Sequence, residues 1–322
     1  MKRRLTAGLI SPSTIKFIDF ARKARDYSVY DFIHGYVYAR WPYLYIEIGT
    51  GEHPIANRYR PLFSKILSGL DRIRPKDSKK YGDGVDTQVA FADTYHGKVV
   101  SLEAARQLVM INEPIELPNL ENVIPYKKAT DLIMQNPDHI VALQCPCRTA
   151  RPNPCLPLDV CLIIGEPFAG FVIDHHPGRA RWINPEEAAQ ILREEDERGH
   201  VHHAFFKDAM LGRFYAICNC CDCCCGAMQA HRNGVPMLAS SGYICETNEL
   251  LCIGCETCVD YCQFGAIMII DGFSNISKDE CMGCGVCVDK CESGALSLVL
   301  DLERGIPLDI KQLMNNIQQN AP

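Results

Sequence analysis

Cys252-Ile-Gly-Cys255-Glu-Thr-Cys258-Val-Asp-Tyr-Cys262 and, at an offset of 29, Cys281-Met-Gly-Cys284-Gly-Val-Cys287-Val-Asp-Lys-Cys291 decide how the rest of the chain reads. Both follow C-x2-C-x2-C-x3-C. Cys258-Val-Asp recurs as Cys287-Val-Asp, and Phe264-Gly-Ala-Ile is echoed by Ser293-Gly-Ala-Leu, so the segment reads as an internal duplication. Three thiolates at two-residue gaps wrap three corners of a small iron-sulfur cube, and the fourth cysteine is carried by the chain to the other cube. The spacing predicts one [4Fe-4S] cluster on Cys252, Cys255, Cys258 and Cys291 and a second on Cys281, Cys284, Cys287 and Cys262. Gly254, Gly283 and Gly285 let the backbone pass close to inorganic sulfide without a Cβ in the way. A four-cysteine zinc site would need two C-x2-C pairs with a longer gap, and disulfides would need an oxidising compartment.

On these residues, the stretch 248–300 resembles a bacterial-type two-cluster ferredoxin domain. The proline that usually follows the fourth cysteine is replaced by Gln263 in one half and Glu292 in the other. Ligation is untouched by that change, but the local turn differs.

The chain has 322 residues, 47% of them hydrophobic, which leaves room for two or three domains with a real core. The expected class is α+β. A helical N-terminal region spans 1–95, a cysteine-rich α/β unit 96–245, the two-cluster domain 246–300 and a C-terminal tail 301–322. A formal charge of −6 argues against nucleic acid or an anionic membrane as the main partner. The 19 cysteines, several of them adjacent, suit thiolate ligands kept reduced in a cytoplasmic setting, and oxygen-sensitive clusters suit an anaerobe. Met1-Lys2-Arg3-Arg4 precedes an apolar run, Leu5 to Ile10, too short for a signal peptide. The longest candidate span, Cys155 to Ile173, is broken by Pro157, Asp159, Glu166 and Pro167, so no membrane span is expected.

Ser28 caps a helix with Asp31 in its first turn, and Val29, Phe32, Ile33, Tyr36 and Val37 share one face, read as buried, before Pro42 ends it. Trp41, Tyr43 and Tyr45 follow. Such a stretch suits peripheral contact with a membrane or quinone module, although this aromatic spacing more commonly marks a core or subunit interface. Lys76 to Gly84 reads as a loop. Helices are expected from Ser101 to about Ile111 and from Tyr126 to Gln135, then a strand over His139–Gln144 that delivers Cys145-Pro-Cys147-Arg148. Cys161–Ile164, Phe171–Ile173 and Phe214–Ile217 are further strand candidates. A helix capped by Asn184, with Pro185 at its first position, stops at Gly199. Strand, cysteine loop and helix in alternation suggest an open α/β sheet with its ligands at strand ends.

Ten cysteines fall in that middle unit: Cys145, Cys147, Cys155 and Cys161, then Cys218, Cys220, Cys221, Cys223, Cys224 and Cys225. Six in eight residues cannot all pack as small apolar groups, because successive side chains point in different directions. Thiolates at this density repel one another unless a cation sits between them. At least one further iron-sulfur cluster is expected here, with zinc and redox-active thiols as the alternatives. Adjacent Cys220-Cys221 and Cys224-Cys225 can hardly both reach one face of a regular cube, which leaves room for an unusual cluster or for free thiols. Arg148 is the candidate cofactor-binding cation, since a guanidinium offsets the charge of a thiolate-ligated cluster. His175, His176, His200, His202 and His203 read first as solvated loop residues and second as ligands or proton donors.

With Cys-Pro-Cys-Arg at 145–148, Cys155, Cys161, Gly178-Arg-Ala-Arg181, Gly199-His-Val-His202 and Ile-Cys-Asn-Cys-Cys-Asp-Cys-Cys-Cys-Gly at 217–226, residues 100–300 resemble a group of 4Fe-4S proteins from anaerobic bacteria and archaea. Cys224-Cys225-Gly226 is also similar to the cysteine-glycine motif of heterodisulfide reductase subunits, without its long spacings. The larger resemblance implies electron transfer in anaerobic metabolism. The expected function is relay of single electrons to or from a partner oxidoreductase. No G-x-G-x-x-G loop points to a flavin or nicotinamide. Two alternatives accompany this reading. One is a reductase with a non-standard catalytic cluster within Cys218–Cys225 and His202 or His203 as proton donor. The other is a thiol-based redox sensor.

Overall fold

The computed structural model describes residues 11–24, 27–53 and 92–319. The N-terminal start and the loop expected at Lys76–Gly84 lie outside them. Three helices open the chain: α1 (Pro12–Lys23), α2 (Val29–Arg40) and α3 (Pro42–Thr50). Ser28 forms a full capping box: its hydroxyl accepts the Asp31 N–H at 3.1 Å and the Asp31 carboxylate accepts the Ser28 N–H at 3.0 Å. The buried face of α2 differs from the expected one. Val29 (77%), Ile33 (56%) and Val37 are exposed, while Phe32 and Tyr36 pack on the core beside buried Gly35 and Ala39. Gly35 sets that choice, because a Cβ there would lie 2.0 Å from the Ala209 carbonyl oxygen. The helix turns its smallest residues inward so that it can approach that closely.

The middle of the chain runs β1 (Tyr95–Val100), α4 (Leu102–Val109), β2 (Ile115–Leu117), β3 (Leu132–Leu143), α5 (Pro146–Thr149), β4 (Cys161–Glu166), α6 (Phe168–His175), β5 (Ala180–Ile183), α7 (Pro185–Glu197), β6 (Val201–Lys207), β7 (Arg213–Cys220), α8 (Gly226–Arg232) and β8 (Leu238–Ala239). One sheet, ordered β2-β3-β4-β7-β6-β1-β8 with β5 paired to β3, holds all eight strands. Among the described residues β1 and β8 form the one parallel ladder, and the other ladders of this sheet are antiparallel. This corrects the open α/β sheet expected from the alternation of strands and helices. The helix expected over Tyr126–Gln135 is also replaced, because β3 starts at Leu132 and continues through Pro137 by means of a register shift between Gln135 and Ile140. Phe171–Ile173 lies in α6, whose buried residues Phe168, Phe171 and Val172 recur at helical spacing.

The C-terminal unit contains β9 (Tyr243–Thr247), α9 (Thr257–Tyr261), β10 (Ile267–Ile270), β11 (Phe273–Ile276), α10 (Val286–Asp289) and β12 (Leu296–Leu300). Two antiparallel ladders, β9 with β12 and β10 with β11, frame a separate small core around Ile244, Ala266, Ile267 and Leu296. The offset that separates the cysteine runs also separates α9 from α10 and β10 from β12. The boundary expected at 246 falls inside β9. Beyond β12 the chain returns to the main sheet, where Leu308 and Ile310 are buried in its core. Among the described residues, no helix is long and apolar enough to cross a membrane.

Candidate metal centres

Antiparallel pairing explains why distant cysteines meet. β4 runs against both β3 and β7, so its first residue, Cys161, lies opposite Leu143 near the end of β3 and opposite Cys218 near the end of β7. Leaving β3, the chain turns at Cys145 into the short α5 that carries Cys147. Leaving β7, it passes Cys220 and folds back where the Cys225 N–H donates to the Cys221 carbonyl at 3.1 Å. Within β7, alternation puts Cys218 and Cys220 on one face and Asn219 on the other.

Two neighbouring cavities open at this sheet edge. One, of about 160 Å³, is lined by Cys145, Cys147, Cys218, Cys220, Cys221, Cys224 and Cys225 together with Arg148. The other, of about 60 Å³, shares Cys145, Cys147 and Cys218 and adds Cys161. Helix α3 roofs them with Ile46, which lines both, and with Tyr45, Gly49 and Thr50. Sequence reasoning gave α3 no such role. Gly226 permits the close fit, since a Cβ there would lie 3.0 Å from Thr50 Cγ2 and 3.9 Å from Cys147 Sγ. Cys161 and Cys218 bring their sulfurs within 3.6 Å, and Cys220 and Cys225 within 3.2 Å. The Cys145 and Cys218 thiols are pushed well above the usual range, first by their sulfur neighbours Cys147 and Cys161 and then by burial. In such a pocket thiols ionise when a cation takes the charge.

Arg148, the candidate cofactor-binding cation, lines the larger cavity and is fully buried, but its charge is already matched. Its Nη2 donates to the Glu195 carboxylate, itself buried, and to the Asn219 carbonyl at 3.1 Å, and its Nη1 donates to the Pro157 carbonyl at 2.6 Å. Its Nε is buried without a partner, an orphaned donor at a cavity lined by sulfur. The histidines are not on a solvated loop. His202 and His203 lie in the fully buried strand β6, and neither lines a cysteine cavity. His202 Nδ1 lies 2.7 Å from Asn219 Oδ1, and burial pushes His203 down to about 3, so it is held neutral.

Four cysteines form a tight knot at the rim, two of them, Cys221 and Cys224, also lining the larger cavity. Cys155, Cys221, Cys223 and Cys224 bring all their sulfurs within 4.8 Å of one another. The closest pairs are Cys155 with Cys223 at 3.2 Å and Cys223 with Cys224 at 3.5 Å. Burial pushes Cys155 up to about 11 against the lowering hydrogen bond from Cys223, and burial first, then neighbouring sulfur, pushes Cys221 and Cys223 to about 12. Cys224 moves down: burial opposes its ionisation, but the Cys155 N–H and the three neighbouring thiols outweigh it.

In the C-terminal unit Cys252, Cys255, Cys258 and Cys291 line a single hollow of about 20 Å³. The remaining cysteines of the paired runs act on one another: burial first, and then Cys287, Cys262 and Cys281, push the Cys284 thiol up. Backbone N–H groups converge on the sulfurs: Ser274 on Cys252 at 3.4 Å, Cys245 on Cys281 at 3.5 Å, Ala266 on Cys262 at 3.2 Å and Ala295 on Cys291 at 3.3 Å. Cradles of N–H groups around sulfur are what an anionic thiolate-ligated cluster requires, so this donor set fits iron-sulfur ligation. Gly254 and Gly283 have φ of +65° and +64°, and a Cβ would fall 2.5 Å from the Gly272 oxygen and 2.1 Å from the Tyr243 oxygen. Their glycines serve backbone approach as well as the clearance read from the sequence.

Residues 251–295 match the family model of the 4Fe-4S dicluster domain. The C-terminal unit is a 4Fe-4S dicluster domain. No curated protein and no solved structure matches the chain. The dicluster domain is seated directly against the cysteine-rich edge of the main sheet. Gln263, the residue in place of the usual proline, accepts the N–H of Asp222 at 2.8 Å, and Asp222 sits between Cys221 and Cys223. Phe264 stands edge-on to His231 at 6.3 Å, and Tyr261 packs over Gly199. Cys245, outside both the paired runs and the ten middle cysteines, is buried in the dicluster domain with its sulfur 3.5 Å from that of Cys287. The offset of 29 places it opposite Ser274, a correspondence that extending the duplication backwards would have found.

Proposed function

We propose that this chain is an iron-sulfur electron-transfer protein relaying single electrons to or from a partner oxidoreductase. The observation that carries this reading is the hollow of the dicluster domain lined by Cys252, Cys255, Cys258 and Cys291, the set that the interleaved spacing selects. On this reading those four hold one [4Fe-4S] cluster, and Cys262, Cys281, Cys284 and Cys287 hold the other. The ten middle cysteines hold at least one further centre, with Arg148 as its neighbouring cation. When bound, such clusters supply reversible one-electron chemistry at little structural cost.

The chain's own residues supply the surroundings. The N–H groups of Ser274, Cys245, Ala266 and Ala295 stabilise charge on sulfur, and α3 lays Ile46 and Tyr45 along the wall of the middle cavity. Gln263 fixes the Cys221–Cys225 loop to the dicluster domain. Leu250, Leu251 and Ile253, all exposed, form an apolar rim beside Cys252 and exposed Cys255, which suits docking of a partner protein. Anaerobic metabolism and a cytoplasmic setting belong to the same reading.

The test is electron paramagnetic resonance on anaerobically purified protein. Cys258→Ala is expected to abolish one of two low-potential signals and to lower the iron content by about one cluster. An unchanged spectrum overturns the ligand assignment. The cavity of about 160 Å³ also supports a second reading, a reductase acting at Cys218–Cys225. Steady turnover of a small oxidant by the isolated chain would favour it, with a proton donor other than the cavity-remote His202 and His203.

A further inference from the structure

The ten middle cysteines are not one group. Cys155, Cys221, Cys223 and Cys224 form a tight knot in which all the sulfurs lie within 4.8 Å of one another, and among the described residues no other three metal-ligating side chains gather so closely. Neither cysteine quartet of the dicluster domain meets that spacing, nor do any three of the six inner cysteines. The contrast lies within one chain, so it reflects how each loop was built.

The spacing has a direct chemical meaning. Four sulfurs bound tetrahedrally to one ion at about 2.3 Å stand about 3.8 Å apart. The observed pairs at 3.2 and 3.5 Å lie a little under that value, and no pair in the group exceeds 4.8 Å. A cube instead binds each thiolate to a different iron, with sulfide between, and so spreads its four cysteines wider. Resting on the reading that the middle cysteines are metal ligands, we infer that Cys155, Cys221, Cys223 and Cys224 hold a single tetrahedral divalent ion, zinc(II) or iron(II), as a centre of its own beside the inner cavity, whose wall Cys221 and Cys224 also form.

The backbone around the knot agrees with this assignment. Two guanidinium groups tie down the same loop, Arg151 also paired with Glu52 and Arg232 with the Asp222 carboxylate. Arg151 donates through Nε and Nη2 to the Cys224 carbonyl at 3.3 Å, and Arg232 donates to the Asp222 carbonyl. Soft thiolate sets of this geometry select zinc or iron over hard ions. The knot would lock Cys155 to the loop that carries Asp222, and through Gln263 to the dicluster domain. Its role is to set the distance between the two units.

Metal and sulfide analysis of full-length protein, purified anaerobically, tests this. The wild type should hold one zinc per chain, or one iron in excess of its sulfide, and Cys155→Ser/Cys223→Ser should lose that one ion while keeping its sulfide. Zinc loss identifies zinc as the ion; loss of iron without sulfide identifies iron. Loss of iron and sulfide together would overturn the inference in favour of a cluster, and unchanged metal would overturn it outright. Should the double variant fail to fold, alkylation of wild type after mild chelation decides. Cys155, Cys221, Cys223 and Cys224 should become reactive together while sulfide is retained, and protection of any one of them counts against the site. The relay reading fails differently, by absence of the dicluster signals whatever the rim holds.

Discussion

Cys245 and Ser274 occupy matching places in the two halves of the dicluster domain and treat the neighbouring sulfur differently. Ser274 places its hydroxyl 3.7 Å from Cys252 Sγ and 2.8 Å from Thr247 Oγ1, whereas Cys245 places its sulfur 3.5 Å from Cys287 Sγ. With Cys287 ionised as a ligand, Cys245 is left as the S–H donor. A hydrogen bond to a ligand sulfur stabilises the reduced, more negative cluster and raises its potential. Cys245→Ala is therefore expected to lower one of the two dicluster potentials by about 40 mV, the one-electron equivalent of a bond worth about 1 kcal/mol. A redox titration followed by paramagnetic resonance reads this, and equal movement of both potentials, or of neither, would sink it. Arg148 shows the limit of sequence reading at this scale. Its place beside Cys147 was legible, but its partner Glu195 lies on another element, and no local pattern links residues 47 apart. The paired cysteine runs were legible because ligand spacing is local chemistry, while Cys245, outside the motif, was not.

At the scale of the element, local capping was readable and tertiary override was not. Ser28 and Asn184 cap their helices as their sequences require, and β4 and β7 appear at the apolar runs that suggested them. The second half of β3 matches the strand expected over His139–Gln144, but its first half was read as helix because Asn136-Pro137 is ordinarily a helix stop, and here it is absorbed by a bulge. β1 and β6 bury His96, Lys98, His203 and Lys207, which polar residue types hid from any hydrophobic pattern. Lys207 is held over the rings of Tyr95 and Tyr38, at 4.6 and 5.0 Å. His96, stacked 3.9 Å from Tyr126, is held neutral by burial, which pushes it from 6.5 down to about 4. Between those values the unfolded chain binds the proton and the folded one does not, so the stability it contributes falls as pH drops from about 6.5 to about 4 and is constant below. That range corresponds to about 3 kcal/mol. His96→Phe keeps a flat ring without the titration, and in chemical denaturation its stability should gain on that of wild type by about this amount across the window. Parallel curves would show that His96 is not the group responsible.

For the whole molecule, the consequence of the fold is contact between a dicluster domain and a sheet edge loaded with cysteine. The order of the units along the chain was legible; their contact was not, because Gly199, Gln263 and Tyr261 were read only for their local roles, and no local pattern shows which distant element each one meets. Gly199 is the most constrained of these. It has φ of +84°, and a Cβ there would fall 2.5 Å from Tyr261 Cδ1, on the helix that follows Cys255 and carries Cys258. Gly199→Ala should therefore act in two ways, by strain in the left-handed backbone and by pushing Tyr261 with the dicluster domain away from the main sheet. The two effects separate in a double-mutant comparison. Adding Tyr261→Ala removes the collision and leaves the strain. If electrons cross this contact, Gly199→Ala should keep its iron and its paramagnetic signals while electron throughput from a reducing to an oxidising dye falls severalfold, and Gly199→Ala/Tyr261→Ala should recover most of the loss. Throughput that is unaffected in the single variant would mean that electrons enter and leave through the dicluster domain alone, with the middle centre off the path.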